Sequence, residues 1–139
     1  MIVLDTNVVS ALMRREPEPA VVSWLDSLPA ESVWTTSVTV FEIRLGLEIL
    51  TAGRRRRELE EAFAKALEED FENRVLPFDE AAAQTAGAIA AERRRAGRTV
   101  EIRDVQIAGI VKARKATLAT RNIRHFEGCG VVLINPWSA

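Results

Sequence analysis

A chain of 139 residues fits one domain and can bury about 68–70% of the surface its unfolded form exposes, without a disulfide or structural metal. Hydrophobic residues make up 47% and charged residues 28%, a globular composition that excludes a disordered or fibrous chain. Nineteen basic against twenty acidic residues give a net charge of −1, so any nucleic-acid binding must come from a local site rather than bulk charge.

The chain opens MIVLDTN, with no basic start, so no secretory signal is expected. No apolar run approaches the roughly 18–20 residues of a membrane span. Cys129 stands alone, which fits a reducing cytoplasm. The run Ile2-Val3-Leu4, closed by Asp5-Thr6-Asn7, reads as a buried strand entering a helix over Val8–Arg14 that stops before Glu16-Pro17-Glu18-Pro19. A second helix is expected over Ala20–Leu28 and a second strand over Val33–Thr36. Thr36 or Ser37 can cap a long helix reaching Thr51, with Gly53 beyond its end. Arg54–Asp70 reads as another helix and Val75-Leu76 as a short strand. From Asp79 an alanine-rich helix runs to Gly97, and Arg103–Lys115 forms one more. Strands over Thr117–Ala119 and Val131–Ile134 follow. Strands alternating with helices, without repeats or linkers, imply a single three-layer α/β domain over residues 1–139 with a parallel sheet.

Three acids stand where ordinary patterning does not place them. Asp5 closes the first strand, so it lies at the carboxyl edge of the sheet, where open α/β folds bind ligands; it could equally cap the next helix. At about 100° per residue, Glu42 shares a helix side with Val38, Leu45 and Ile49, while Arg44 and Glu48 face away. An acid on an apolar side needs a partner, because a buried unpaired charge costs several kcal/mol. Asp104 opens a helix and shares its side with Ile107, Ala108 and Val111, with capping as the competing role. Acids at separate edges of one sheet repel unless a cation neutralises them, and hard oxygen ligands select Mg²⁺ or Mn²⁺. One histidine and one cysteine cannot make a zinc site, and no GxxxxGK[ST], GxGxxG or GxSxG string is present.

In order along the chain stand LDTNVVSAL, VTVFEIRLGL, RVLPFDEAAA, RDVQIAGIV and ATLATRNIRHFEGCGVVLINPW. With these segments the whole chain resembles the PIN-domain ribonucleases, and within them the VapC and FitB-like toxins of bacterial toxin–antitoxin operons. The resemblance implies an α/β/α PIN domain whose five-stranded parallel sheet has the order 3-2-1-4-5. It also implies a metal-dependent endoribonuclease that uses Mg²⁺ or Mn²⁺, cuts single-stranded or loop RNA and leaves a 5′-phosphate and a 3′-hydroxyl. A cognate antitoxin and a homodimer are implied partners. Asp5, Glu42 and Asp104 match the family's catalytic and metal-binding acids; Thr6, Asn7, Thr120 and Asn122 match supporting polar positions. The family usually carries a fourth acid in a stretch of the form TRNxxDF, where this chain has TRNIRHF and hence His125. A neutral histidine supplies no negative charge, which leaves one-metal catalysis as the expectation. The alternative is a non-catalytic PIN scaffold that binds antitoxin or RNA, against which the intact acid set argues. A receiver or a DxD phosphatase would need acids that Thr6 and Asn7 do not provide.

Other conspicuous features read as ordinary structure. Arg54, Arg56 and Arg57 each precede a glutamate by four residues (Glu58, Glu60 and Glu61), the pattern of a solvated helix face. Arg93-Arg94-Arg95 falls in a last helical turn, where cations suit the dipole. Trp24, Trp34 and Trp137 are expected to pack, and Cys129 to be a small buried residue.

Overall fold

Ile2–Leu4 forms β1, the central strand of the computed structural model, which describes residues 1–139. It pairs in parallel with β2 (Val33–Thr36) on one side, Ile2 opposite Val33, and with β4 (Thr117–Ala119) on the other, Leu4 opposite Ala119. β3 (Val75–Leu76) lies outside β2 and β5 (Val132–Ile134) outside β4, all parallel, giving the order 3-2-1-4-5. The expected topology is therefore the observed one.

Successive strand residues point to opposite faces. Val3 and Leu118 enter one core with Ile107, Ile110 and Phe126; Leu4 and Ala119 enter another with Val8, Val21, Ile43 and Phe63. Two buried faces explain why the central strand is an apolar run and not an alternating pattern. The first core packs under α5 (Glu80–Arg95), α6 (Ile102–Ala113) and the short α7 (Ile123–Phe126). The second packs under α1 (Thr6–Leu12), α2 (Pro19–Asp26), α3 (Ser37–Ile49) and α4 (Arg54–Lys65). No helix is long and apolar enough to cross a membrane.

Several boundaries differ from the sequence reading. The first helix begins at Thr6 because Asp5 caps it directly. The helix expected over Arg54–Asp70 ends at Lys65 and continues as a π-helical turn over Ala66–Asp70, closed by Phe71 N–H donating to Ala66 O at 2.9 Å. The wider turn carries Phe71 into the core with Phe63 and Ala66, which a regular helical period could not foretell. The sequence does not announce the four-residue α7, since one turn has no period to detect; its Phe126 is buried. Arg54 and Arg56 pair with Glu58 (3.1 Å) and Glu60 (3.3 Å), while Arg57 and Glu61 do not pair. Arg56 and Arg44 also reach Glu48, at 2.8 and 2.7 Å, so the arginine run belongs to an exposed α3–α4 lattice.

α5 and α6 approach closely at Gly109. A β-carbon there would stand 2.6 Å from Ala82 O and 2.6 Å from Ala86 Cβ. The clash involves backbone, so a side-chain rotation cannot relieve it. Gly109→Ala should therefore cost about 1–3 kcal/mol or more. In urea the midpoint should fall with the slope unchanged.

Candidate active site

The parallel register sets Asp5 beside Thr120, because Asp5 N–H continues the β1–β4 ladder by donating to Ala119 O at 2.9 Å. Asp5 Oδ1 accepts from Thr6 N–H at 2.8 Å and so caps α1. Its Oδ2 accepts from Thr120 Oγ1 at 2.8 Å and from Asn7 Nδ2 at 3.1 Å. The capping and edge roles are thus held by one residue. Asn7 closes the frame: its Oδ1 accepts from Arg121 N–H at 3.0 Å, while Thr120 Oγ1 accepts from Asn122 N–H at 3.0 Å. Asp5 is only 4% exposed, and burial holds its carboxyl above the ordinary range against the opposing pull of Thr120, Thr6 and Asn7.

Glu42 projects from α3 toward the same edge. Thr6 Oγ1 donates to its Oε1 at 2.9 Å and lies 3.1 Å from Thr39 Oγ1. The helix face differs from the expected one. The stripe Thr39, Ile43 and Leu47 is buried, whereas Leu45 and Ile49 are 39% and 74% exposed. Two adjacent stripes share the four-residue period, so the sequence could not separate them; Glu42 sits on their boundary. Val38 is buried as expected, and Arg44 and Glu48 do face solvent. Burial raises the Glu42 pKa, opposed by Thr6 and Arg103.

Asp104 lies in the first turn of α6, above the fully buried Ile107, Ala108 and Val111. Capping falls to Glu101, whose Oε2 accepts from Asp104 N–H at 2.8 Å, so the Asp104 carboxylate is left to face the site. His125 Nδ1 stands 3.3 Å from Asp104 Oδ2, which makes it a neighbour of the acids and not a stray loop residue. Burial, then the charges of Glu101 and Asp5, push the Asp104 carboxyl up to about 6, with His125 opposing. A carboxylate raised in this way gains from a nearby positive charge.

Two residues of the site were not identified from sequence. Glu101 is an unusual N-cap type, and its only signal was the three-residue spacing to Asp104. Arg103 places Nη1 3.6 Å from Glu42 Oε2. Its signal was a cation in a first helical turn, where the dipole disfavours one.

The donors that meet here are hard carboxylate oxygens, which suit Mg²⁺ or Mn²⁺. In the side-chain positions observed, no three acids, histidines or cysteines are close enough to share one ion. That spacing fits an ion held by one or two carboxylates and completed by water, as Mg²⁺ commonly is.

Comparison with known proteins agrees with this architecture. The family model "PIN domain" matches residues 2–129. The plasmid stability protein StbB of Pseudomonas syringae pv. tomato is 41% identical, with all of both chains covered. Toxin FitB of Neisseria gonorrhoeae is 38% identical over 99% of both chains. The VapC ribonuclease Y4jK of Sinorhizobium fredii is 36% identical, covering 99% of this chain and 98% of its own. Among solved structures, FitAB bound to a DNA fragment aligns with a TM-score of 0.89 at 38% identity, over 99% of this chain and 96% of that one.

Proposed function

This chain belongs to the PIN-domain family, and from that premise we propose that it is a metal-dependent endoribonuclease, the toxin of a toxin–antitoxin pair. The observation that carries the reading is the placement of Asp5, just past the end of β1, with Glu42 of α3 and Asp104 of α6 at one edge of the sheet, Asp104 being lifted to about 6 by its surroundings. Asp5 and Asp104 would hold Mg²⁺ or Mn²⁺, which when bound polarises the scissile phosphate and lowers the pKa of a coordinated water. Glu42, fixed through Oε1 by Thr6, orients the attacking water and accepts its proton. Thr120 and Asn7 hold the Asp5 carboxylate, and Asn122 steadies Thr120 through its backbone N–H. His125 stands 3.3 Å from Asp104 where the family places a fourth acid, and one ion suffices in this reading.

Two surfaces support the partners. Phe41, Leu45 and Ile49 form an exposed apolar stripe along α3, suited to a second copy of the chain. A groove of about 1340 Å³ away from the three acids, with Leu12, Met13, Leu25 and Leu59 on its wall and charged residues such as Arg15, Arg54 and Glu69 also lining it, suits an amphipathic segment of an antitoxin.

Metal dependence is the test. Purified protein should cut unstructured RNA with Mn²⁺ or Mg²⁺ and stop in EDTA. Undiminished cleavage in chelator overturns the reading.

A further inference from the structure

We propose that Arg103 binds an RNA phosphate at the active site and that Glu42 holds its guanidinium in place until metal and RNA arrive. The inference rests on the ribonuclease reading above and adds a substrate-positioning residue to it.

Arg103 occupies the second position of α6, immediately before Asp104. A cation there opposes the helix dipole, so local structure does not favour it. Its contacts are loose: Nη1 lies 3.6 Å from Glu42 Oε2, and Nε 4.0 Å from Glu101 Oε1. Both exceed hydrogen-bond length, and the guanidinium donates no hydrogen bond within the chain. Arg74 shows what a structural arginine looks like in this fold. It donates to Val33 O at 2.8 Å, Ala30 O at 2.7 Å and Asp70 O at 3.1 Å. Arg103 instead keeps its planar fork of donors free, on a side chain that is 41% exposed.

Two neighbouring basic side chains are differently placed: Arg121 lies over the Trp137 ring at 4.9 Å, and His125 stands against Asp104. Arg103 is the cation in contact with Glu42, at a site whose acids would otherwise repel a phosphate. A divalent ion held by Asp5 and Asp104 would weaken the attraction between Glu42 Oε2 and the guanidinium by repelling the latter. Glu42 stays in place when that happens, because Thr6 holds its other oxygen. The released fork has the geometry that matches phosphate oxygens in pairs.

The test compares the full-length parent with Arg103→Gln and Arg103→Lys, using a labelled unstructured RNA and Mn²⁺ across a salt series. Arg103→Gln should raise KM by about 10- to 100-fold with a much smaller change in kcat. The slope of log(kcat/KM) against log salt should become shallower by about 0.7, the mark of one lost phosphate contact on a single strand. Arg103→Lys should restore the slope and only part of KM, because an ammonium is a single point charge. Without RNA, the Mn²⁺ midpoint of thermal stabilisation should fall in Arg103→Gln, since Glu42 has lost a competing cation. A parent that cleaves while Arg103→Gln matches it in KM and salt slope overturns the role of Arg103 alone. A parent that leaves RNA intact overturns the ribonuclease reading and this inference together.

Discussion

Replacing Asp5 with asparagine should reduce RNA cleavage by about 10²-fold or more while leaving the fold nearly intact. The loss follows from removing negative charge at the most enclosed of the three acids, since even an outer partner of a metal ligand is worth about 10–100-fold in affinity. The fold should survive for two reasons. Asparagine caps helices about as well as aspartate, so Thr6 N–H keeps an acceptor. The substitution also removes a buried carboxylate that desolvation already disfavours. Opposing this, the amide brings donors toward Asn7 Nδ2 and the Thr120 hydroxyl, which must reorient. Melting temperatures should therefore agree within a few degrees, and Mn²⁺ should stabilise the variant far less than the parent. Cleavage at the parental rate by a folded Asp5→Asn protein would remove Asp5 from the mechanism.

The residues differ in how plainly the sequence announced them. Asp5 was legible because an apolar run ended on an acid, and strand ends in a parallel sheet converge on one edge. Asp104 was legible because its neighbours at helical spacing, Ile107, Ala108 and Val111, all became core. Glu42 was found by a neighbour set that is only partly right, since Leu45 and Ile49 face outward. The acid mattered for its position at the carboxyl edge and for Thr6, not for burial along that stripe. The sheet order came from family resemblance; periodicity alone does not order strands. What stayed hidden is what depends on tertiary contact. The Arg103–Glu42 pair joins residues far apart in sequence, and the π-helical turn before Phe71 answers a core that no local pattern describes.

Asp104 should be a residue that weakens the protein it serves. Its carboxyl is raised from 3.8 to about 6 in the folded chain. For an acid raised on folding, the favourable contribution is fully present below the unfolded pKa and is lost as pH climbs through the folded one. The metal-free protein should thus lose stability between about pH 4 and pH 6 on account of this group, and little more above that. The full shift would correspond to about 3 kcal/mol; coupling to Glu101, Asp5 and His125 makes something on the order of 1–3 kcal/mol the fair expectation. Asp104→Asn removes the titrating group while keeping a side chain of the same shape. In EDTA at neutral pH the variant should melt roughly 3–10 °C above the parent, and the gap should close toward pH 4. Saturating Mn²⁺ should raise the parent and leave the variant nearly unmoved, because the acids that destabilise the empty site are the ones a cation rewards. Parent and variant that melt together across this pH range would show that Asp104 is not held in a strained, cation-seeking state.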